Sequence, residues 1–226
     1  MVFWNSVFLL VVAFVIACWV VGNARAASPG SGAQRASRAG VAAAVWLVLS
    51  ALPTLTGLLA EDGGIIPPPV AFAAFLAVSL AVSLGRWGRD LALAVPLWAL
   101  VGFQGFRLPL ELVLHAWAEA GVAPPQMTWT GQNWDILAGA VALLAVPLVR
   151  RRAAFAWVPT VFGSVLLLNV IRVVMRSVPG PLQAFPDPVL LPFRFPHVWI
   201  GSVCVVGAVV GHVVAFRALA LKGERE

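Results

Sequence analysis

The chain has no tyrosine and a single lysine, Lys222, against fourteen arginines. With no lysine inside an apolar run, nothing is available for a retinal Schiff base, so an opsin is excluded. The only two cysteines, Cys18 and Cys204, both fall in apolar runs. A disulfide framework and a CxxC metal motif are therefore excluded. Charge is scarce as well. Charged residues are 11% of the chain and hydrophobic ones 61%, where a soluble domain has about 25% and about 45–50%. Walker A, HExxH, HxxxH and strand-borne GxGxxG patterns are absent. Gly163-Ser164 and Gly201-Ser202 do not match serine membrane proteases. No run of acids inside one span suggests a proton-pump relay.

What is present is apolar sequence. Mean hydropathy is +0.95. Seven runs stand out, roughly 3–22, 40–59, 70–85, 91–116, 133–149, 153–175 and 197–218. Each is close to the ~20 residues that cross a bilayer. The expected fold is an all-α integral membrane bundle of seven transmembrane helices, one transmembrane domain over residues 1–226. The ten tryptophans supply the interfacial anchors that tyrosine would otherwise share.

The net charge of +6 does not mark a nucleic-acid partner, because the charges sit in short loops beside apolar runs. Eleven of the fifteen basic residues fall on one side: Arg25, Arg35, Arg38, Arg86, Arg89, Arg150, Arg151, Arg152, Arg217, Lys222 and Arg225. Arg176 and Arg194, with Glu61, Asp62, Glu119 and Asp187, fall on the other. The positive-inside rule then puts the N-terminus outside and the C-terminus in the cytoplasm. Ala24-Arg25-Ala26 resembles a signal-peptidase site. Cleavage there would turn the Arg25, Arg35 and Arg38 loop outward, against every other loop, so no cleavage is expected. The arginine bias fits a GC-rich bacterial genome, and the expected location is the bacterial plasma membrane.

The fourth run contains GFQGFRLPLELVLHAW, with Gln104, Arg107, Glu111 and His115 at steps of three, four and four residues. They share one helix face. If the hydrocarbon core begins near Leu93, Arg107 lies about 21 Å in and about 9 Å from the outer edge. The stripe is expected in the outer half. Asn133 and Asp135, Asn169 and Arg172, and His197 open or close other spans at the same level. Together the nine outline an outward-facing polar pocket. The interhelical partners expected are Glu111 with Arg172 and Arg107 with Asp135. Asp135 also suits a helix first turn on dipole grounds alone. Pro109 removes one backbone bond and frees the Gly105 carbonyl. Two outer segments, 118–132 and 176–196, could cover the pocket or serve as irregular outer connectors. The proline density of 176–196 forbids a regular helix there and suggests a stiff, extended segment with Phe193 and Phe195 dipping into the interface.

The histidines invite zinc, yet His197 and His212 are about 22 Å apart along one helix, far beyond zinc bonding. No cofactor or metal is expected. His212 is expected against the Gly207/Gly211 face or near the cytoplasmic interface, and that GxxxG pattern is expected to pack within the chain.

The block QGFRLPLELVLHAWAEAGVAPPQMTWTGQNWDILAG resembles a pattern of uncharacterised bacterial multi-pass membrane proteins. The resemblance spans about 36 residues and implies that the block is a unit; it carries no activity. The favoured function is binding, sensing or transport of a small polar or anionic ligand, a lipid head group among the candidates. Arg107 and Arg172 would hold the anion, Glu111 and Asp135 would orient them, and His115 and His197 would respond to pH. The alternatives are a membrane-embedded enzyme acting on a lipid-borne substrate, with Glu111 or Asp135 as base and His115 as acid, and a structural subunit of a membrane complex.

Overall fold

The computed structural model describes residues 1–59 and 64–223. Glu61, Asp62 and Arg225, used above in the charge count, lie outside the described residues, as does the Lys222 side chain. The fold is all-α, with no strand among the described residues. Helices α1 (Val2–Arg25) and α2 (Gly32–Leu55) are followed by α3 (Pro68–Leu84), α4 (Arg86–Ala94) and α5 (Leu97–Phe103). Then come α6 (Arg107–Glu119), α7 (Asp135–Arg151), α8 (Trp157–Ser177) and α9 (Val206–Gly223).

Among the described residues, five helical runs are long and apolar enough to cross a membrane. They are α1, α2, Leu97–Glu119, Ala153–Ser177 and Ile200–Leu221. The α3–α4 pair makes a sixth if its 57° bend lies within one span. Helix α7 is shorter, at 17 residues, a rise of about 26 Å.

The chain breaks where its prolines and glycines require it. Pro96 holds Val95 extended, at ψ 131°. Residues 91–94 therefore belong to α4, and the fourth apolar run begins only at Leu97. At Gly85 the chain turns from α3 into α4, and the Arg217 guanidinium donates to the Ser83 and Gly85 carbonyls at 2.6 and 2.9 Å. Helix α2 starts about eight residues before the apolar run that marks it, so Arg35 and Arg38 are helical rather than in a loop. A 3-10 turn, Gln104–Phe106, joins α5 to α6. It lies where Pro109 denies the Gly105 carbonyl its helical partner, and the backbone tightens there.

A π-helical turn, Ile200–Val205, precedes α9. Its wider ring turns the Ser202 carbonyl toward α2, where it accepts from Trp46 Nε1 at 2.7 Å. Trp199 Nε1 donates to the Leu47 carbonyl, so two indoles tie α2 to this turn. Both glycines of the GxxxG pattern are used within the chain. A Cβ on Gly207 would meet Val15 of α1 at 2.8 Å, and one on Gly211 would meet Phe103 of α5 at 2.9 Å. With lipid as solvent, such close approach, rather than escape from water, holds helices together.

The larger core gathers Phe8, Val113, Trp117, Val173, Val189 and Val198. The two outer segments join it. Met127 and Thr128 are buried, Phe193 is buried and Phe195 is exposed. Gln126 Nε2 donates to the Asp187 carbonyl at 2.6 Å, tying the two segments together. Over 178–196 the only helical turn is the 3-10 piece Leu191–Phe193, as the proline density implies.

Candidate functional site

The site is built around Arg107. It is the eleventh of the 23 residues in Leu97–Glu119, about 15 Å from Leu97. Gln104 and Arg107 thus lie near the middle of their helical run and Glu111 and His115 in its second half, so Arg107 stands closer to the middle than a start at Leu93 implies. The difference is the Pro96 break, which moves the start of the run from Leu93 to Leu97. His212 is nine residues before Leu221, about 14 Å from that end of its own run. The two side chains thus meet at mid-run.

Arg107 is 1% exposed and its donors are engaged on three sides. Nε and Nη2 form a fork on the Asp135 carboxylate. Nη1 donates to the Gly163 carbonyl at 3.1 Å and lies 3.1 Å from His212 Nε2. A guanidinium only donates, so His212 Nε2 must offer its lone pair here. The ring is then neutral, with its proton on Nδ1. Gly163 makes room for this meeting: a Cβ there would stand 2.7 Å from His212 Cε1 and 3.3 Å from Arg107 Nη1.

Asn133 organises the carboxylates. Its amide donates to Glu111 Oε1 at 2.9 Å and to the Met127 carbonyl at 3.0 Å. Its Oδ1 accepts from the Asp135 N–H at 3.1 Å, the side-chain turn that opens α7. Glu111 is 2% exposed, and its Oε2 has no hydrogen-bond partner among the described residues. Gln104, one turn before Arg107, donates from Nε2 to the Ala208 carbonyl at 3.3 Å, and its Oε1 is likewise unpartnered. A cavity of about 30 Å³ lies among Arg107, Glu111, Asn133, Asp135, Leu167 and Cys204. That is room for about one or two water-sized groups.

Five of the nine residues expected at the pocket are thus brought together: Gln104, Arg107, Glu111, Asn133 and Asp135. The Arg107–Asp135 pair forms as expected. Glu111 does not pair with Arg172. Arg172 is exposed and bonds to Asn169 Oδ1 at 2.9 Å and Gln132 Oε1 at 3.0 Å. Asn169 also donates to the Gln132 carbonyl, so these residues form a separate group at the surface. His115 stacks on Trp129 at 4.1 Å and lies 3.6 Å from Glu119. His197 sits edge-on to Trp117 at 4.7 Å and faces Phe8 at 6.2 Å. Neither histidine contacts Glu111 or Asp135, and among the described residues no three His, Cys, Asp or Glu side chains converge as metal ligands would.

The sequence reading missed His212 as a member of the site. The available signal was its position, the only His, Asp, Glu, Lys or Arg between Val198 and Phe216. An ionisable group that deep needs a partner.

The arrangement is that of a multi-pass membrane protein: all-α, with several apolar helices and a polar network walled inside them. No family model, no curated protein and no solved structure matches the chain.

Proposed function

We propose that this is a seven-span protein of a bacterial plasma membrane, N-terminus outside and C-terminus cytoplasmic, that binds or moves a small polar ligand at the cavity beside Glu111. The seventh span would be α7, whose first turn begins beneath the folded segment 123–134 and whose last turn carries Arg150 and Arg151. The positive-inside distribution supports the orientation.

The observation that carries the ligand reading is Glu111 Oε2, an acceptor withdrawn from water without a partner. An unmet buried acceptor costs about 1–3 kcal/mol, more when charged, and a ligand that donates to it recovers that loss. The same geometry narrows the ligand. The charge of Arg107 is already met by Asp135, and the unpartnered polar atom at this cavity is the Glu111 carboxyl oxygen Oε2. A hydrogen-bond donor such as a hydroxyl, an amine or a proton-carrying water suits it better than an anion.

The structural-subunit reading has one observation of its own. Arg107 is so fully engaged that the network would fix helix register with no ligand at all. The enzyme reading has less support, since His115 stacks on Trp129 and lies 3.6 Å from Glu119 rather than pairing with Glu111.

The test compares wild type with Glu111→Gln, purified in native-lipid particles and analysed by mass spectrometry for bound small polar molecules. A polar molecule that accompanies wild type and is lost in Glu111→Gln, with the melting temperature kept, supports the reading. Identical contents in both proteins overturn it. Topology reporters fused at residues 30, 87 and 151 should report cytoplasmic and one at 65 external; an external signal at 151 overturns the orientation.

A further inference from the structure

We infer that the protein holds one acyl chain of an anionic glycerophospholipid in a lateral cleft between α2 and α3, with the lipid phosphate at Arg38, Arg86 and Arg89. This site is separate from the Glu111 cavity, and the proposal does not rest on a ligand there.

The cleft has a volume of about 290 Å³, and its walls are almost wholly apolar. Helix α1 supplies Val15 and Trp19 to it, α9 supplies Gly207 and Val210, and α2 and α3 flank it with Ala42 and Val78. It exists because α2 and α3, neighbours in sequence, make no extended contact. Helix α2 packs along α1, and α3 packs along α9. Across the gap Trp46 and Phe75 meet, edge to face at 5.7 Å. Outward from the gap both helices are apolar, with Val41, Val45 and Val48 of α2 and Val78 and Leu80 of α3 exposed. The opening therefore faces hydrocarbon, and what enters it is what the bilayer supplies, a lipid chain.

Charge beside the cleft selects the head group. Helix α4 bends away from α3 and presents Trp87 and Leu91 to the cleft. Arg86 and Arg89 stand exposed beside Trp87. Arg38 lies one turn before Ala42 on α2, also exposed. None of the three has a hydrogen-bond or ion-pair partner among the described residues. Arg35 of α2 bridges to Asp90 of α4 at 2.8 Å and ties these two helices together near the same arginines. The apolar slot is thus lined by α2 and α4 residues next to exposed arginines of the same helices, Arg38 on α2 and Arg86 and Arg89 on α4, a pairing that complements an acyl chain ending in a phosphate-bearing head.

The test uses the full-length protein in nanodiscs of equal parts phosphatidylglycerol and phosphatidylcholine, then extracted into maltoside detergent and examined by native mass spectrometry. Wild type should retain one phosphatidylglycerol. Ala42→Trp fills the slot and should abolish retention. The exposed triple variant Arg38→Gln/Arg86→Gln/Arg89→Gln should weaken it by about fivefold per arginine removed. It also decides the matter if Ala42→Trp does not fold. Equal retention of phosphatidylcholine overturns the proposal, as does a triple variant that retains lipid like wild type. So does a lipid-free dimer that covers the cleft, detected by cross-linking of Val45→Cys.

Discussion

Nη1 of Arg107 and Nε2 of His212 lie 3.1 Å apart although 105 residues separate them in the chain. The contact holds the middle of the fourth apolar run to the middle of the last. It requires a neutral His212 with its Nε2 lone pair toward the cation. Replacing His212 with Ala withdraws an acceptor from a buried guanidinium and should lower stability by about 1–3 kcal/mol. His212→Gln, which can present an oxygen, should recover part of it. Thermal unfolding in maltoside would measure both; equal melting temperatures for wild type and His212→Ala would remove the contact from the account.

The Arg107–Asp135 fork makes a stronger prediction. Asp135→Ala leaves a buried cation unpaired and should cost about 3–5 kcal/mol, while the apolar double variant Arg107→Leu/Asp135→Leu should recover most of it. A double-mutant cycle on unfolding free energies reads the coupling. An additive result would mean that the fork contributes nothing.

Gly163 is the point of closest approach to this pair. Gly163→Ala would put its Cβ 2.7 Å from His212 Cε1. The expected loss is about 1–3 kcal/mol from overpacking, seen as a lower melting temperature. Gly40, with open space around its Cβ position, is the control: Gly40→Ala should be neutral or stabilising.

Asn133 links Glu111, Met127 and the first turn of α7 through three hydrogen bonds. Asn133→Ala should loosen segment 123–134 before it affects the helices. Hydrogen–deuterium exchange should rise there selectively, with α8 protected as before.

Arg172 gives the contrasting case. Its partners Asn169 and Gln132 are themselves at the surface. Arg172→Ala should change stability by no more than about 0.5 kcal/mol, whereas the Glu111–Arg172 pair expected from the sequence would have required several.

Much of this was legible before any coordinates. Arg107 deep in one apolar run and Asp135 opening the next are opposite charges that lipid favours pairing, and their partnership was the expectation from sequence position. Pro109 and the density of prolines over 176–196 likewise marked a break in helical bonding at Gly105 and the irregular segment, and the structure shows the first as a 3-10 turn. Depth was less legible. It depended on whether residues 91–94 continue into the fourth run, and only the extended Val95 shows that they do not. His212 was hidden for another reason. Its partner comes from a helix whose adjacency no local pattern encodes.

By itself the sequence determined the helical class, the approximate runs and the need for an internal polar network. Those follow from the scarcity of charge and from the demand that backbone groups in lipid be satisfied within each helix. Tertiary structure decided which polar groups meet. Five of the nine candidates converge, four do not, and His212 joins them, because helix rotation and neighbour choice depend on close packing at positions such as Gly163 and Gly211 rather than on polarity along one helix. It also decided that α2 and α3 stand apart, which opens the cleft that no linear reading contains.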